Sequence, residues 1–147
     1  MTRTSTSQEN TELATRLRLG VMRLARRLRR QAPEGISPSQ LSALATLEGS
    51  GPLTLTDLAA AERVQPPTMT RIVTALEGVG LVVRTADKKD RRCTNLKLTG
   101  DGKRFIARVR SRKTAYLTAR IAALSESDRS TLAAATEILE RLVNEPD

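Results

Sequence analysis

The sequence predicts a mainly α-helical fold with one small β-hairpin. Apolar residues recur at helical spacing along most of the 147 residues, and two short strand-like runs flank six consecutive charged residues, Asp87–Arg92. The aromatic residues are one Phe and one Tyr, so the core must be built from Leu, Val, Ile and Ala. A chain of this length fits one compact domain, or a small domain plus an assembly element, and is long enough to bury a core.

The first helix is predicted from about Glu9 to Gln31. Residues 1–8 are rich in Ser and Thr, and we expect them to form a disordered tail. Pro33 and Gly35 end the helix, whose other faces carry seven arginines between positions 16 and 30. Its apolar stripe, at steps of four, four, three and four, consists of Leu13, Leu17, Val21, Leu24 and Leu28.

Three shorter helices follow. Ser37 before Pro38 is typical of an N-cap followed by proline at the first helical position. Thr56 is expected to cap a short third helix. The fourth helix begins at Pro66, where a proline is tolerated because the first amides of a helix have no internal partner, and it ends at Gly78.

The hairpin and two longer helices complete the chain. The strands are predicted at Leu81–Thr85 and Thr94–Leu98, and a long helix from Thr99 to about Ala123. Ser125, with an acidic residue three positions later, is expected to cap the last helix. Two short helices joined by a tight turn and followed by a hairpin form a winged helix-turn-helix.

The fourth helix has one apolar face, which must be buried, and one face that is small and hydroxylated. Short side chains allow close approach to the major groove of DNA, hydroxyls can bond phosphates or bases, and Arg can bind guanine. An ordinary solvated face would more often carry several Glu and Lys, whereas Glu77 is the only acid in this helix. The pattern favours a groove-reading helix, whose exposed face and flanks are Pro67, Thr68, Thr70, Arg71, Thr74 and Gly78.

The hairpin tip is strongly cationic. Beside a groove-reading helix it can reach DNA phosphates or the narrow minor groove, where negative potential attracts Arg. We expect Asp87 and Asp90 to pair with Lys89, Arg91 or Arg92 and so fix the direction of these cations. The alternative is a solvated turn with local ion pairs. The four cations of the tip are Lys88, Lys89, Arg91 and Arg92.

Composition narrows the function classes. There are 25 Lys plus Arg against 16 Asp plus Glu, a formal charge of +9, which implies an anionic partner such as nucleic acid or an acidic membrane surface. No apolar run of 18 residues and no signal-peptide pattern is present, so we expect a soluble cytoplasmic protein without a membrane partner.

The residues that most enzymes and metal sites need are scarce. There is no histidine and a single cysteine, Cys93, so an intrachain disulfide is impossible and no metal or other cofactor is expected. The same absence removes the commonest general base, which disfavours an enzyme. We expect Cys93 to be a small, partly buried strand residue, although Arg91 and Arg92 could lower its pKa.

Several motifs between Leu53 and Gly102 occur together in a recognisable order. They are the paired prolines, Leu-Glu-x-x-Gly-Leu-Val at Leu76–Val82, Asp-x-basic-Asp-Arg-Arg at Asp87–Arg92, and Leu-Thr-x-x-Gly at Leu98–Gly102. In these motifs the chain resembles the MarR family of transcriptional regulators. The resemblance implies a homodimer with a recognition helix at Pro66–Gly78 in each major groove and with wings at the minor groove.

The resemblance also implies a division of the chain. Residues 35–103 would form the winged helix-turn-helix, and residues 9–34 and 104–147 the dimerisation helices. The apolar stripes of these terminal helices must be buried against something, and we expect a second copy of the chain to cover them. The alternative is a monomer in which the terminal helices fold back onto the rest of the chain. The expected interface residues are Leu13, Leu17, Val21, Leu24, Leu117, Ile121, Leu124, Leu132, Ile138, Leu139 and Leu142.

Two positions depart from the family pattern. Gln65 stands where a Ser N-cap is frequent, so the side-chain cap is expected to be absent and Gln65 to reach DNA instead. Lys89 stands where Arg is frequent, which weakens bidentate contacts there. The expected DNA-binding residues are Gln65, Pro66, Pro67, Thr68, Thr70, Arg71, Thr74, Lys88, Lys89, Arg91 and Arg92.

The function implied is that of a sequence-specific regulator of transcription, most often a repressor, bound to an inverted repeat of double-stranded DNA. Many relatives bind a small anionic or phenolic effector between the dimer helices and the DNA-binding lobe, and nothing in the sequence identifies one. Some relatives sense oxidants through a cysteine near the N-terminus, a mechanism that Cys93 does not match. The competing hypotheses are a non-specific basic protein of DNA or RNA and, more remotely, a first helix that lies on membranes.

Overall fold

The computed structural model describes residues 2–145, with side chains from residue 6 onward. These residues form a mainly α-helical structure with one small antiparallel sheet, as the sequence predicts. The elements in chain order are α1 (Thr2–Arg29), α2 (Pro38–Ser50), β1 (Leu53–Thr54), α3 (Leu55–Ala61), α4 (Pro66–Gly78), β2 (Val82–Ala86), β3 (Thr94–Leu98), α5 (Gly100–Ala122) and α6 (Glu126–Asn144).

Helix α1 is longer than the sequence predicts. It begins at Thr2, so residues 2–8 are helical where we expected a disordered tail, and Met1 lies outside the described residues. No Gly or Pro interrupts this segment, and the hydroxyls of Thr11 and Thr15 donate to the carbonyls four residues earlier, at 2.9 Å each. The helix ends at Arg29, shortly before Pro33.

The start of α2 is a capping box, which confirms the predicted N-cap at Ser37. The Ser37 hydroxyl accepts a hydrogen bond from the Gln40 amide at 3.2 Å, and the Gln40 side chain accepts one from the Ser37 amide at 2.9 Å. Pro38 occupies the first helical position. Two amides that would otherwise lack partners are thereby satisfied, and the helix start is fixed.

The cap of α3 is Thr54 rather than Thr56, which corrects the prediction. The Asp57 amide donates to the Thr54 hydroxyl at 3.1 Å. Thr54 is already extended because it belongs to β1 and pairs with Asn95, so the backbone has N-cap geometry there and the helix begins at once. Strand β1 has two residues, too few to show a periodic pattern in the sequence.

The sheet has the order β1-β3-β2 and is antiparallel throughout. Strand β3 has the predicted bounds, and β2 begins one residue later than predicted. The register pairs Val82 with Leu98 and Ala86 with Thr94, so the two strands form a hairpin whose tip is the charged segment. The side chains of Val82, Leu96 and Leu98 are buried in the core.

The core lies between α2, α3, α4, the sheet and the first half of α5. The buried face of α4 is the predicted one, because Met69, Ile72, Val73 and Leu76 are all buried. Phe105, the single Phe, is also buried, and the rest of the core is aliphatic or Met. The other buried residues of this core are Ala43, Leu44, Leu47, Leu58, Ala59, Leu81, Val82, Leu96, Leu98, Ile106 and Val109.

The chain divides into two compact units between Lys113 and Thr114. The second unit comprises the end of α5 and helix α6. The hydroxyl of Ser125 accepts a hydrogen bond from the Asp128 amide at 3.0 Å, which confirms the predicted N-cap of the last helix. No residue of α6 is buried within the described chain, so its apolar stripe is left uncovered. None of the helices described has the length and apolar character needed to span a bilayer.

Candidate nucleic-acid interface

Helix α4 presents two chemically different faces. Met69, Val73 and Leu76 are 0% exposed and anchor the helix to the core. Arg71 and Thr74 lie on the opposite side and are exposed. Since three fully buried side chains fix the rotation of the helix about its axis, the exposed face has a fixed direction. The structure thus places on the surface two of the residues that the sequence predicts to bind DNA.

The N-terminal end of α4 carries few free donors of its own. Gln65 is the N-cap residue, and its side chain makes no cap hydrogen bond, as the sequence predicts. Pro66 and Pro67 have no amide hydrogen, while the amides of Thr68 and Met69 both donate to the Gln65 carbonyl, at 3.0 and 3.1 Å. The exposed Gln65 side chain is therefore available to a partner outside the helix.

The three threonines expected to contact DNA differ in availability. Thr74 is exposed, and Thr68 is half-buried. The hydroxyl of Thr70 donates to the Pro66 carbonyl at 2.9 Å, which occupies its only hydrogen. In this rotamer Thr70 can accept hydrogen bonds from the amino groups of cytosine or adenine but cannot donate to a phosphate.

The wing tip, residues 87–93, is ordered by its carboxylates, though not through the predicted ion pairs. The Asp87 carboxylate accepts hydrogen bonds from the amides of Lys89 at 2.6 Å and Asp90 at 3.2 Å, and from the Asn95 side chain at 2.8 Å. The Asp90 carboxylate accepts one from the Arg92 amide at 3.0 Å. The acids hold the backbone of the turn rather than the cationic side chains, because their short side chains reach the nearby amides.

The cations of the wing tip are consequently unpaired. Within residues 6–145 the ion pairs join Arg84 to Glu77, Arg104 to Asp101, and Arg110 to Glu48, and none involves the tip. All four cationic side chains of the tip are exposed. A fixed turn that presents unpaired cations is suited to bind an anionic surface such as the DNA backbone.

Hydrogen bonding lowers the pKa of Asp87 below its ordinary value of 3.8. The largest cause is the Lys89 amide, followed by the Asn95 side chain and the Asp90 amide, all of which stabilise the charged form. Because the pKa of Asp87 is lowered in the folded wing, the ionised carboxylate stabilises the folded state, and this contribution is fully present above the ordinary pKa. It is lost as the pH falls through the lowered pKa.

A pH titration of the wing tests this arrangement. We expect the amide proton resonances of Lys89 and Asp90 to shift together with a midpoint below pH 3.8. Asp87→Asn should abolish the shift, because the Asn side-chain NH₂ would face the NH₂ of Asn95 and no charge would remain. Asp101→Asn, whose partner is Arg104, is the control and should leave the titration unchanged. A midpoint at or above 3.8 would contradict the assignment.

An ion pair between Glu77 and Arg84 joins α4 to the β2–β3 hairpin, the wing. The Arg84 Nε lies 2.7 Å from the Glu77 Oε1, and both side chains are partly exposed. The pair connects the last turn of α4 to β2 and so restrains the wing relative to the helix. Glu77 is recognisable in the sequence as the only acid of α4. Its pairing with Arg84 depends on the turn at Gly80 (φ +74°), which the sequence does not reveal.

Cys93 differs from the prediction in two respects. It is exposed and lies just before β3, in the wing tip, rather than being partly buried in a strand. The negative charge of Asp90 raises the pKa of the thiol, an effect opposite to the lowering considered for Arg91 and Arg92. The reason is that the thiol faces the Asp90 carboxylate, with Sγ 3.8 Å from Oδ2. A thiol with a raised pKa is a weak nucleophile at neutral pH.

Comparison with known proteins supports the same interpretation. The MarR family model matches residues 36–94. An HTH-type transcriptional regulator of Mycobacterium tuberculosis is 38% identical over 134 residues, which are 90% of this chain and 94% of the relative. A transcriptional regulator protein from Pseudomonas aeruginosa, known from its crystal structure, is 36% identical in sequence to this chain. The two structures superpose with a TM-score of 0.83, over 94% of this chain and 99% of that one.

A MarR family protein from Bacillus stearothermophilus has the same fold, with a TM-score of 0.78 at 24% identity over 95% of this chain and 98% of that one. The fold described above is thus shared with both solved structures over nearly the whole of this chain. This chain therefore belongs to the MarR family of winged helix-turn-helix transcriptional regulators, which bind DNA and are not enzymes.

Proposed function

We propose that the protein is a homodimeric, sequence-specific repressor that binds an inverted repeat in double-stranded DNA in the cytoplasm and is released by a small-molecule effector. The observation that carries the proposal is the exposed Arg71–Thr74 face of α4, flanked by a wing tip whose cations have no ion-pair partner among the described residues. The helix would supply base contacts and the wing backbone contacts.

Uncovered apolar side chains on the terminal helices support a homodimer. In α1, Leu13 is 63% exposed and Val21 48%, while in α6 Ile138 is 49% exposed and Leu142 56%. Monomeric proteins seldom leave such stripes in water, and soluble oligomers are most often twofold homodimers. Of the eleven expected interface residues, Leu117 and Leu139 are half-buried and the other nine are exposed. Residues 9–34 and 104–147 would then serve assembly, and residues 35–103 DNA binding.

Twofold symmetry determines the form of the target. Two copies of α4 related by a dyad would enter successive major grooves, about 34 Å apart. The same base contacts would then be repeated in opposite directions, so the operator is an inverted repeat. Both wings would lie on the flanking backbone.

A cavity of about 230 Å³ supports an effector site. It lies between the end of α1, the start of α2 and Lys113. Ile36 and Leu41 supply apolar surface, and Arg29 and Lys113 supply positive charge, so a small anion with an apolar body fits its chemistry. No Phe, Tyr or Trp lines the cavity, which disfavours recognition by aromatic stacking.

Selection of duplexes from a random library, followed by competition with unrelated DNA, tests the proposal. We expect an enriched inverted repeat with half-site centres about 10 base pairs apart, bound about 10³-fold or more tightly than unrelated duplex at physiological salt. The affinity should fall steeply as salt increases, because bound cations release condensed counterions.

The non-specific alternative predicts a different result. Seven arginines in residues 16–30 could bind any polyanion. If random and selected duplexes, or duplex DNA and RNA, were bound equally well, a non-specific nucleic-acid-binding role would replace the proposed one.

A further inference from the structure

Arg63, in the turn between α3 and α4, has a left-handed backbone conformation that residues other than glycine rarely adopt. Its φ is +54°, and it is the only non-glycine residue with positive φ among those the structure describes. The amide of Arg63 donates to the Ala60 carbonyl at 3.1 Å, and the amide of Val64 to the Ala59 carbonyl at 3.0 Å. This pair of bonds ends a helix at a left-handed residue, a position that glycine usually occupies.

Elsewhere the chain uses glycine for such conformations. The other described residues with positive φ are Gly35, Gly51 and Gly80. Glycine at position 63 would adopt the same turn without the steric penalty of a Cβ atom. Strained residues of this kind cluster at functional sites, where the side chain makes an interaction that glycine could not make.

Within the described residues, no ion pair or hydrogen bond of the Arg63 side chain accounts for the strain. The side chain is exposed, and within residues 6–145 it forms no ion pair and no hydrogen bond. Its neighbour Val64 packs against the core, which holds the turn in place. The guanidinium is therefore presented to solvent from a fixed backbone.

The position of Arg63 is next to the end of α4 that would enter the groove. Three Cα–Cα steps separate it from Pro66, a span of at most about 11 Å. The major groove is about 12 Å wide and is bordered by phosphates on both sides. An arginine this close to the start of the recognition helix is within reach of the phosphates that border the groove entered by that helix.

The surrounding charge makes this arginine distinctive. Between Gln31 and Gln65 it is the only cation, against four acids: Glu34, Glu48, Asp57 and Glu62. Of these four acids Glu48 is paired with Arg110, and without Arg63 the segment would contribute no positive charge toward a polyanion. A single guanidinium at the turn supplies the missing counter-charge.

We propose that Arg63 binds a DNA backbone phosphate at the edge of the groove that α4 enters, and so anchors the recognition helix. This inference rests on the proposed function. Arg suits the role because its planar fork can donate two hydrogen bonds to phosphate oxygens. A phosphate contact carries no sequence information, so Arg63 adds affinity for every duplex equally.

The test compares four variants by the salt dependence of binding to selected and unrelated duplexes and by thermal melting. Arg63→Ala removes the charge and keeps the strain, Arg63→Gly removes both, and Arg63→Lys keeps the charge. Arg112→Ala removes an exposed, unpaired cation of α5 and is the matched control.

We expect Ala and Gly at position 63 to lower the slope of log affinity against log salt by about 1.8, for two contacts per dimer, on both duplexes. Arg63→Lys should keep most of the slope, and Arg112→Ala all of it. Arg63→Gly should also melt about 2–4 °C above the wild type because the strain is relieved. A more stable protein would then bind DNA less well.

Three results would overturn the inference: an unchanged slope for both Ala and Gly, an equal loss for Arg112→Ala, or a melting temperature of Arg63→Gly below that of Arg63→Ala. If these occur while the wild type still binds duplex DNA selectively, the proposed function stands and only the role of Arg63 fails. A wild-type protein that binds no duplex would overturn both.

Discussion

Gly102→Ala is expected to destabilise the fold by about 3 kcal/mol or more. A Cβ at position 102 would lie 2.1 Å from the carbonyl oxygen of Leu81 and 3.1 Å from its carbonyl carbon. These are backbone atoms, so no rotation of a side chain can relieve the clash. The Leu81 oxygen also accepts the Thr99 amide at 3.1 Å, a bond that joins the start of the hairpin to the start of α5. Displacement of Leu81 would therefore loosen the base of the wing.

Gly49→Ala is the matched control for this prediction. Gly49 lies within α2, and a Cβ there would meet no atom within 4 Å. Alanine should stabilise the helix by about 0.5–1 kcal/mol because glycine loses more backbone entropy on folding. Urea unfolding of both variants at one protein concentration measures the two effects. A Gly102→Ala variant within about 1 kcal/mol of the wild type would contradict the packing described here.

Arg71→Ala is expected to reduce the preference for the selected operator over unrelated duplex by about 1–3 kcal/mol. Arg71 is exposed on the face of α4 opposite to three fully buried residues, so its guanidinium is directed toward any groove that the helix enters. Loss of a bidentate contact to guanine lowers affinity for the operator and leaves unrelated DNA almost unaffected.

Arg92→Ala is the contrasting variant. Arg92 lies in the wing tip, and its side chain forms no ion pair within the described chain. We expect its loss to weaken all duplexes to a similar degree and to lower the salt dependence, because it would contact phosphate or the minor groove. Affinities measured by fluorescence anisotropy at two salt concentrations separate the two variants. If both changed the affinity for every sequence alike, the assignment of roles would be wrong.

Periodicity made the central part of the fold predictable. The buried face of α4 follows from apolar residues at helical spacing, and the cap at Ser37 from a serine directly before proline. These signals are local, so they survive in a single sequence. The hairpin was predictable for the same reason, since two short apolar runs enclose a charged turn.

Features that depend on distant residues could not be predicted. Strand β1 exists because Leu53 meets Leu96, more than forty positions away, and it moves the cap of α3 to Thr54. The carboxylates of the wing tip were assigned to the correct segment but to the wrong partners, because a charge pattern does not reveal which backbone amides lie nearby.

Within the candidate site, sequence reasoning identified Arg71 and Thr74 from their place on the helix but missed Arg84 and Arg63. Arg84 matters because a turn brings it beside Glu77, and Arg63 because of its positive φ. Both are conformational properties of the turns that flank α4. A residue pattern at helical spacing carries no information about them.

Replacement of single guanines in the selected operator by 7-deazaguanine is the most direct test of whether α4 reads bases in the major groove. The substitution removes the N7 acceptor and leaves base pairing intact. At one guanine of each half-site, we expect the wild type to lose about 5- to 150-fold in affinity and Arg71→Ala to lose nothing further. If no guanine affected the wild type, or if the wild type and Arg71→Ala lost the same factor at every guanine, insertion of this helix face into the groove would be contradicted.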